Sequence, residues 1–292
     1  MKYILLFFLT MLLIVIAFDL LTGFTKKNQL TPSIIVQQIQ PMIQKNFSQL
    51  DATKIVPTNT PIPTPTIDLA KYGPCKSVPV LMYHHVNSYT GDQKTSSSLT
   101  VTDEMFTKQM DYLASKSYQT ISPYELLNGL TNNSLPVKPI VITFDDAYED
   151  NFTQAYPILK NHNFKFTIFI PTGLIDSSSV YLNWQQLKDM QSSGLLTAGA
   201  HTWSHKALTA ASGETLAMEV ALPKKQLEEN LGGNITAFAY PFGSDNAKAE
   251  TELQKDGYQM SFLTTRGIQC AKLPFEFHRI RIGNSQLSSY GL

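Results

Sequence analysis

The residues best suited to chemistry in this chain are acids and imidazoles that follow short apolar runs. Ile140-Val-Ile-Thr-Phe-Asp-Asp-Ala-Tyr148 carries an apolar stretch straight into two adjacent carboxylates, Asp145 and Asp146. Neighbours within a strand point to opposite sides, but at a strand end the chain leaves that geometry and both carboxylates can converge on one place. A polar turn in which Asp146 caps the next helix is the plainer reading of these two residues alone. His201 and His205 weigh against it. They lie four apart in Leu195-Leu-Thr-Ala-Gly-Ala-His201-Thr-Trp-Ser-His205. On a helical turn that spacing puts both imidazoles on one face, as the two-histidine part of a metal site requires. Either histidine alone could be a solvated or core residue; the specificity lies in two strand ends, one offering acids and the other paired imidazoles. Two histidines and one carboxylate leave positions on a metal open for water and substrate. The second aspartate is then available as a base.

Two further places could contribute. In Ala237-Phe-Ala-Tyr-Pro-Phe-Gly243, Pro241 and Gly243 mark a tight turn after an apolar run. Such a turn can aim a backbone N–H into a pocket, as an oxyanion hole needs, or it can be a plain strand-to-loop turn. In Val78-Pro-Val-Leu-Met-Tyr-His84-His85-Val86 a histidine again follows an apolar run. It reads as a hydrogen-bonded core residue or, beside a metal site, as a general acid.

These groups need strands that end in one place. Candidate strands cover 78–83, 140–144, 166–171, 196–200, 237–240, 260–264 and 278–282. Candidate helices lie between them. Asp103–Ser115 carries Phe106, Met110 and Leu113 on one face, and Ser122-Pro-Tyr-Glu125 has the form of a capping box with proline at the first helical position. Helical patterns follow over 184–191, 216–231 and 246–255, with Pro223 expected to kink or shorten the second. Strands alternating with helices predict an α/β fold with a parallel sheet, and seven or eight such units predict a (β/α) barrel. In a barrel the strands' C-terminal ends share one face, which is where all four polar clusters fall.

The 292 residues suffice for one domain of roughly 200 residues plus appendages. Lys+Arg and Asp+Glu are both 23, so no basic surplus argues for nucleic acid as a partner. Residues 1–24 hold Lys2, an apolar run from Tyr3 to Phe18 and a weaker extension to Phe24. No small-residue cleavage site follows, so an uncleaved signal-anchor is preferred to a cleaved signal peptide, although the run is short against the ~20 residues of a spanning helix. Residues 25–72, rich in Pro, Thr and Gln, read as a stalk, with 34–50 a candidate short helix. A domain over 73–292 would then face the exterior, where Cys75 and Cys270 could bridge or remain buried thiols.

Thr143-Phe-Asp-Asp146, His201-Thr-Trp-Ser-His205 and Tyr240-Pro-Phe-Gly243, in this order, resemble the motifs of the NodB-homology polysaccharide deacetylases, carbohydrate esterase family 4. Val80-Leu-Met-Tyr-His-His-Val86 and Arg279-Ile-Arg-Ile282 resemble the branch of the poly-N-acetylglucosamine deacetylases. The likeness spans 78–282 and implies a distorted (β/α) barrel of seven or eight units that removes N-acetyl groups from a cell-surface polysaccharide. It implies Asp146, His201 and His205 as ligands of a divalent metal, with Zn2+ the default and Co2+ or Ni2+ as other occupants. It implies Asp145 as the base, the backbone N–H of Tyr240, next to Pro241, as an oxyanion donor, and His84 as acid to the leaving amine. Trp184 resembles a position flanking the substrate groove; packing is an equal reading. The implied polymer is poly-N-acetylglucosamine or peptidoglycan. An O-acetyl esterase on a xylan-like polymer and a catalytically silent glycan-binding barrel are the competing expectations. Two departures stand out. The third-motif arginine that holds the base in many members is absent, Thr236 and Ala239 occupying its places, so that partner is missing or replaced. The closing Leu-x-His is also absent, and His278 reads as structural.

Overall fold

The computed structural model describes residues 68–87 and 99–292. The expected anchor over 1–24, the candidate helix over 34–50 and the stalk up to residue 67 lie outside the described residues. Among the described residues no helix is long and apolar enough to cross a membrane.

The strands are short because each is only as long as its apolar run. In chain order they are β1 Cys75–Lys76, β2 Val80–Tyr83, β3 His85–Val86, β4 Thr100–Val101, β5 Gln119–Thr120, β6 Pro139–Asp145, β7 Phe166–Ile170, β8 Leu196–Ala200, β9 Ala237–Ala239, β10 Met260–Phe262, β11 Gln269–Cys270 and β12 Ile280–Arg281. The main sheet runs β10-β9-β8-β7-β6-β2-β12, with β5 beside β6, and every pairing in it is parallel. The sheet curls into a half-barrel. β10 and β12 do not pair with each other. A single parallel bridge, Phe262 to Phe277, lies between β10 and the run into β12. The expected barrel is therefore an incompletely laddered one, because the end strands are only three and two residues long. Seven expected strands are present with ends shifted by up to two residues; β1, β3, β4, β5 and β11 were not expected, being two-residue pairs without an apolar run.

Alternation along the strands divides the core in two. Leu81, Tyr83, Ile142, Phe144, Ile168 and Ile170 join the layer between sheet and helices. Val80, Val141, Phe169, Ala239, Met260 and Phe262 form a second cluster inside the curl. Period-two geometry puts Thr143 and Asp145 on the same side as Val141, inside the curl.

The helices are α1 Leu69–Tyr72, α2 Asp103–Ser115, α3 Pro123–Asn132, α4 Tyr156–Asn161, α5 Trp184–Ser192, α6 Gly213–Leu231 and α7 Ala247–Lys255. In α2, Phe106, Met110 and Leu113 are buried as their spacing required. At α3 the Ser122 hydroxyl accepts from Glu125 N at 3.2 Å, and Glu125 accepts from Ser122 N at 2.7 Å, the reciprocal capping box. Asn183 and Gln186 repeat it at α5. Helix α6 departs from expectation: it continues through Pro223 over 19 residues. Pro223 is buried, and the only bond it cannot make is to the carbonyl of Glu219, one turn back.

Cys75 and Cys270 are directly opposite in the antiparallel β1–β11 pair and form a disulfide that closes a 195-residue span. Tyr72 accepts from Lys272 N at 3.1 Å, so α1 sits against the same segment.

Candidate metal centre

Asp145 ends β6 on the inner face, where a lone carboxylate would be costly. Arg279 makes it tolerable. Its Nη1 lies 2.6 Å from Asp145 Oδ1 and its Nη2 2.8 Å from Oδ2, a bidentate pair with both side chains almost fully buried. Arg279 is itself fixed: Nη1 donates to Thr143 Oγ1 at 3.3 Å, Nε to the Leu263 carbonyl at 2.9 Å, and the guanidinium lies over the Phe169 ring at 5.4 Å. Burial pushes the Asp145 carboxyl up, but the Arg279 charge more than offsets it, so the acid is held below its ordinary value. The arginine missing from the third motif is thus supplied by the residue just before the last strand, β12. Sequence reading noted Arg279 only as part of a terminal motif. The available signal was an arginine flanked by Phe277, Ile280 and Ile282, a charge placed where only an inward acid could balance it.

Asp146 leaves the strand at φ +71, and Ala147 follows at +56. This left-handed step turns the Asp146 carboxylate back toward the sheet's C-terminal edge, where β8 ends. His201 is buried; its Nδ1 donates to the Ala239 carbonyl at 2.7 Å, which leaves Nε2 as the bare ring nitrogen. His205 reaches the same place through backbone at φ +61, its ring centroid 5.0 Å from that of His201. The run between them is not helical; it is a turn whose two left-handed residues, Thr202 and His205, bring the rings together. Of the nine non-glycine residues with left-handed φ among the described residues, five are here: Asp146, Ala147, Thr202, His205 and Phe242. Such conformations cost of order 1–3 kcal/mol each and concentrate at functional sites.

One ligand atom from each of Asp146, His201 and His205 lies within 4.8 Å of the others. Asp146 Oδ1 is 3.0 Å from His205 Nε2 and 3.5 Å from His201 Nε2. Yet this buried oxygen has no hydrogen-bond partner. Distance without direction is what results when the three lone pairs aim at a common point rather than at one another. The donor set, two neutral nitrogens and one hard oxygen, suits a divalent first-row metal. Burial again pushes the Asp146 carboxyl up, and the two imidazoles more than reverse it; the His205 ring, pushed down by burial, is raised overall by Asp146.

His84 follows β2 at the same edge. Its Nδ1 is buried with no hydrogen-bond partner, and burial, only partly opposed by Asp145 and Asp146, lowers its pKa to about 4. Next to it, His85 pairs with Asp150 at 2.7 Å and stacks on Tyr148 at 3.6 Å between ring centroids. Burial and then Asp146 raise the Tyr148 hydroxyl, which stays neutral.

Other expected residues fall differently. The Tyr240 N–H donates to the Phe262 carbonyl at 3.1 Å, extending the β9–β10 ladder, so it is not a free oxyanion donor. Tyr240 and Pro241 are buried. The turn they begin instead projects Phe242, 70% exposed, with its ring edge-on to His205 at 4.9 Å. Trp184 is half-buried at the start of α5 and packs against the outer core. His278 Nδ1 meets Thr265 Oγ1 at 3.1 Å and the ring covers Gly267, away from the metal ligands' cluster.

The polysaccharide deacetylase family model matches residues 132–261. YxkH of Bacillus subtilis, whose name assigns it to the polysaccharide deacetylases, is 32% identical over 207 residues, 70% of this chain and 71% of its own. The poly-beta-1,6-N-acetyl-D-glucosamine N-deacetylase of Staphylococcus epidermidis is 25% identical over 203 residues, 62% of this chain and 70% of its own. Among solved structures, the deacetylase PplD of Streptococcus pyogenes, in complex with acetate, is similar with a TM-score of 0.67 at 32% identity, covering 70% of this chain and 92% of that one.

Proposed function

The chain belongs to the polysaccharide deacetylase family, and on that premise we propose that it removes N-acetyl groups from an N-acetylglucosamine polymer, using one divalent metal held by Asp146, His201 and His205. The observation that carries the metal reading is Asp146 Oδ1, a buried oxygen flanked by two ring nitrogens and hydrogen-bonded to neither. Zn2+ is the first choice for this donor set, with Co2+ or Ni2+ as substitutes. The polymer is proposed from the Staphylococcus epidermidis relative's name; peptidoglycan is the other N-acetylated candidate.

When bound, the metal supplies a polarised acetyl carbonyl and a more acidic water. Asp145 is the base: it is ionised, and Arg279 fixes both of its oxygens so that the carboxylate keeps one orientation. It takes a proton from the attacking water. The C–N bond then breaks as the nitrogen gains a proton. We assign that transfer to His84, which follows β2 at the same edge and lies close enough to Asp145 and Asp146 to feel their charges. Because burial lowers its pKa to about 4, the ring is neutral at pH 7 and must first take up the proton that the water released. The Tyr240 N–H is engaged by the Phe262 carbonyl, so stabilisation of the oxyanion would be supplied by a metal held by Asp146, His201 and His205. Phe242 supports the sugar reading, since it offers an exposed apolar face beside His205 against which a pyranose ring can lie. Trp184 is half-buried at the start of α5, packed against the outer core, and adds no observation for that reading.

The placement follows the same reading: an anchor over 1–24, a stalk over 25–72 and an extracellular domain over 73–292, supported by the disulfide between Cys75 and Cys270, a bond of oxidising compartments.

Acetate release from a panel of acetylated glycans tests the proposal, with Asp145→Asn as control. Release from N-acetylglucosamine oligomers but not from acetylated xylan supports it. The reverse pattern makes the protein an O-acetyl esterase, and glycan binding with no release in saturating Zn2+ makes it a binding module.

A further inference from the structure

The peptide run that carries His205 is held by a carboxylate that the proposed chemistry does not use. Glu219 in α6 is 1% exposed. Its Oε2 accepts from Trp203 N at 3.0 Å and Ser204 N at 2.9 Å, and its Oε1 accepts from the Ser204 hydroxyl at 2.6 Å. Among the described residues it forms no ion pair. A buried carboxylate satisfied by three neutral donors, all from the two residues before His205, is an expensive arrangement for a mere tie between helix and loop. The same loop is pinned from the other side. The Trp203 carbonyl accepts from Gly173 N at 2.7 Å, and a Cβ at residue 173 would lie 2.7 Å from that oxygen. Thr202 Oγ1 closes the turn by accepting from Lys206 N at 3.1 Å.

The two imidazoles differ in what orients them. His201 has its own partner, the Ala239 carbonyl on Nδ1. Among the described residues His205 has no such partner; apart from Asp146, its ring meets only other rings, and its backbone is left-handed at φ +61. Its ring therefore sits where the preceding peptides put it, and Glu219 holds those peptides.

We propose that Glu219 is the positioning residue for His205, acting through the backbone N–H groups of Trp203 and Ser204 to set that imidazole for the metal. The proposal rests on the metal reading above but assigns a role to a residue outside the ligand set and outside the four motifs.

The test is metal affinity, read by competition between the protein and a chromophoric chelator for Co2+, together with the Co2+ absorption spectrum of each variant. Wild type, Glu219→Gln, Glu219→Asp and Glu219→Ala are compared as folded proteins by circular dichroism. Gln can keep the geometry: its Oε1 accepts both N–H groups, and the Ser204 hydroxyl can turn to accept from Nε2. Asp keeps the charge but withdraws it by one methylene. The expected result is affinity within about threefold of wild type for Gln. For Asp and Ala, a weakening on the order of 10–100-fold with an altered Co2+ spectrum is expected. If Ala does not fold, Asp against Gln still decides. Wild-type affinity and spectrum in a folded Asp or Ala variant overturns the proposal, as does a loss in Gln as large as in Asp. Failure of wild type itself to bind Co2+ removes the metal reading, whereas failure of the variants to differ removes only this one.

Discussion

At the scale of single residues, the pair that decides most is Asp145 with Arg279. A buried carboxylate can serve as a base only if something keeps it ionised and still, and the two parallel hydrogen bonds from Arg279 do both. Asp145→Asn should lower kcat by about 10²–10⁴-fold while leaving metal content unchanged, which steady-state kinetics beside metal analysis would show. Arg279→Met strands a buried charge and should destabilise the domain by about 3–5 kcal/mol, seen as a lower urea midpoint. The same pair gives an acid dependence of stability. Asp145 is depressed in the folded state, so its contribution is fully present above its unfolded pKa of about 3.9 and is lost as pH falls through the folded value. Unfolding curves between neutral pH and the acid range should therefore lose less stability in an Asp145→Asn, Arg279→Met double variant than in wild type. At this scale the sequence was informative where motif and strand end coincide: Asp145, Asp146, His201, His205 and His84 all stand at the C-terminal ends of parallel strands, as their apolar leaders implied. It named Arg279 only within a closing motif, without a role, and passed over Glu219, because each acts on a residue more than a dozen positions away and no local spacing connects them. It misplaced the Tyr240 N–H, because a ladder bond to Phe262 depends on a strand partner that spacing along one segment cannot reveal.

At the scale of elements, the site depends on turns more than on strands. The strands deliver side chains to one edge, and left-handed residues at 146, 147, 202, 205 and 242 aim them. Gly243 completes the turn that projects Phe242. It has φ +69, and an added Cβ would meet Thr264 Oγ1 and Cβ. Gly243→Ala should cost about 1–3 kcal/mol and raise KM more than it lowers kcat, since it displaces Phe242 rather than the base. Calorimetry and kinetics on the same preparation would separate the two effects. The helices were legible from their caps, as the reciprocal Ser122–Glu125 bonds show. Helix α4 and the turn before it were not read, although Phe152, Ala155, Tyr156 and Leu159 recur at helical spacing there: Pro157 interrupts the pattern, and the segment opens as a wide turn over Asn151–Ala155 that packs against α2 and β3. Pro223 misled for a physical reason: its missing N–H removes one bond, and burial of its ring compensates.

At the scale of the molecule, the half-barrel brings residues from positions 84 to 279 together at one edge, and the disulfide ties β1 to β11 in a separate two-stranded pair. Closing a loop of 195 residues removes unfolded-state freedom worth about 5 kcal/mol in the chain-entropy picture. Reduction of Cys75–Cys270 should therefore lower the unfolding midpoint and leave the metal stoichiometry intact, since both sulfurs lie outside the ligand set. The central claim is that Asp146, His201 and His205 hold a metal without which acetate is not released. The most direct measurement is acetate release from an N-acetylglucosamine oligomer by chelator-stripped protein before and after adding back Zn2+ or Co2+, with His205→Ala alongside. The account predicts no release from the stripped protein, recovery on adding one equivalent of metal, and no recovery in His205→Ala. Full activity in the stripped protein, or recovery in His205→Ala equal to wild type, would contradict it.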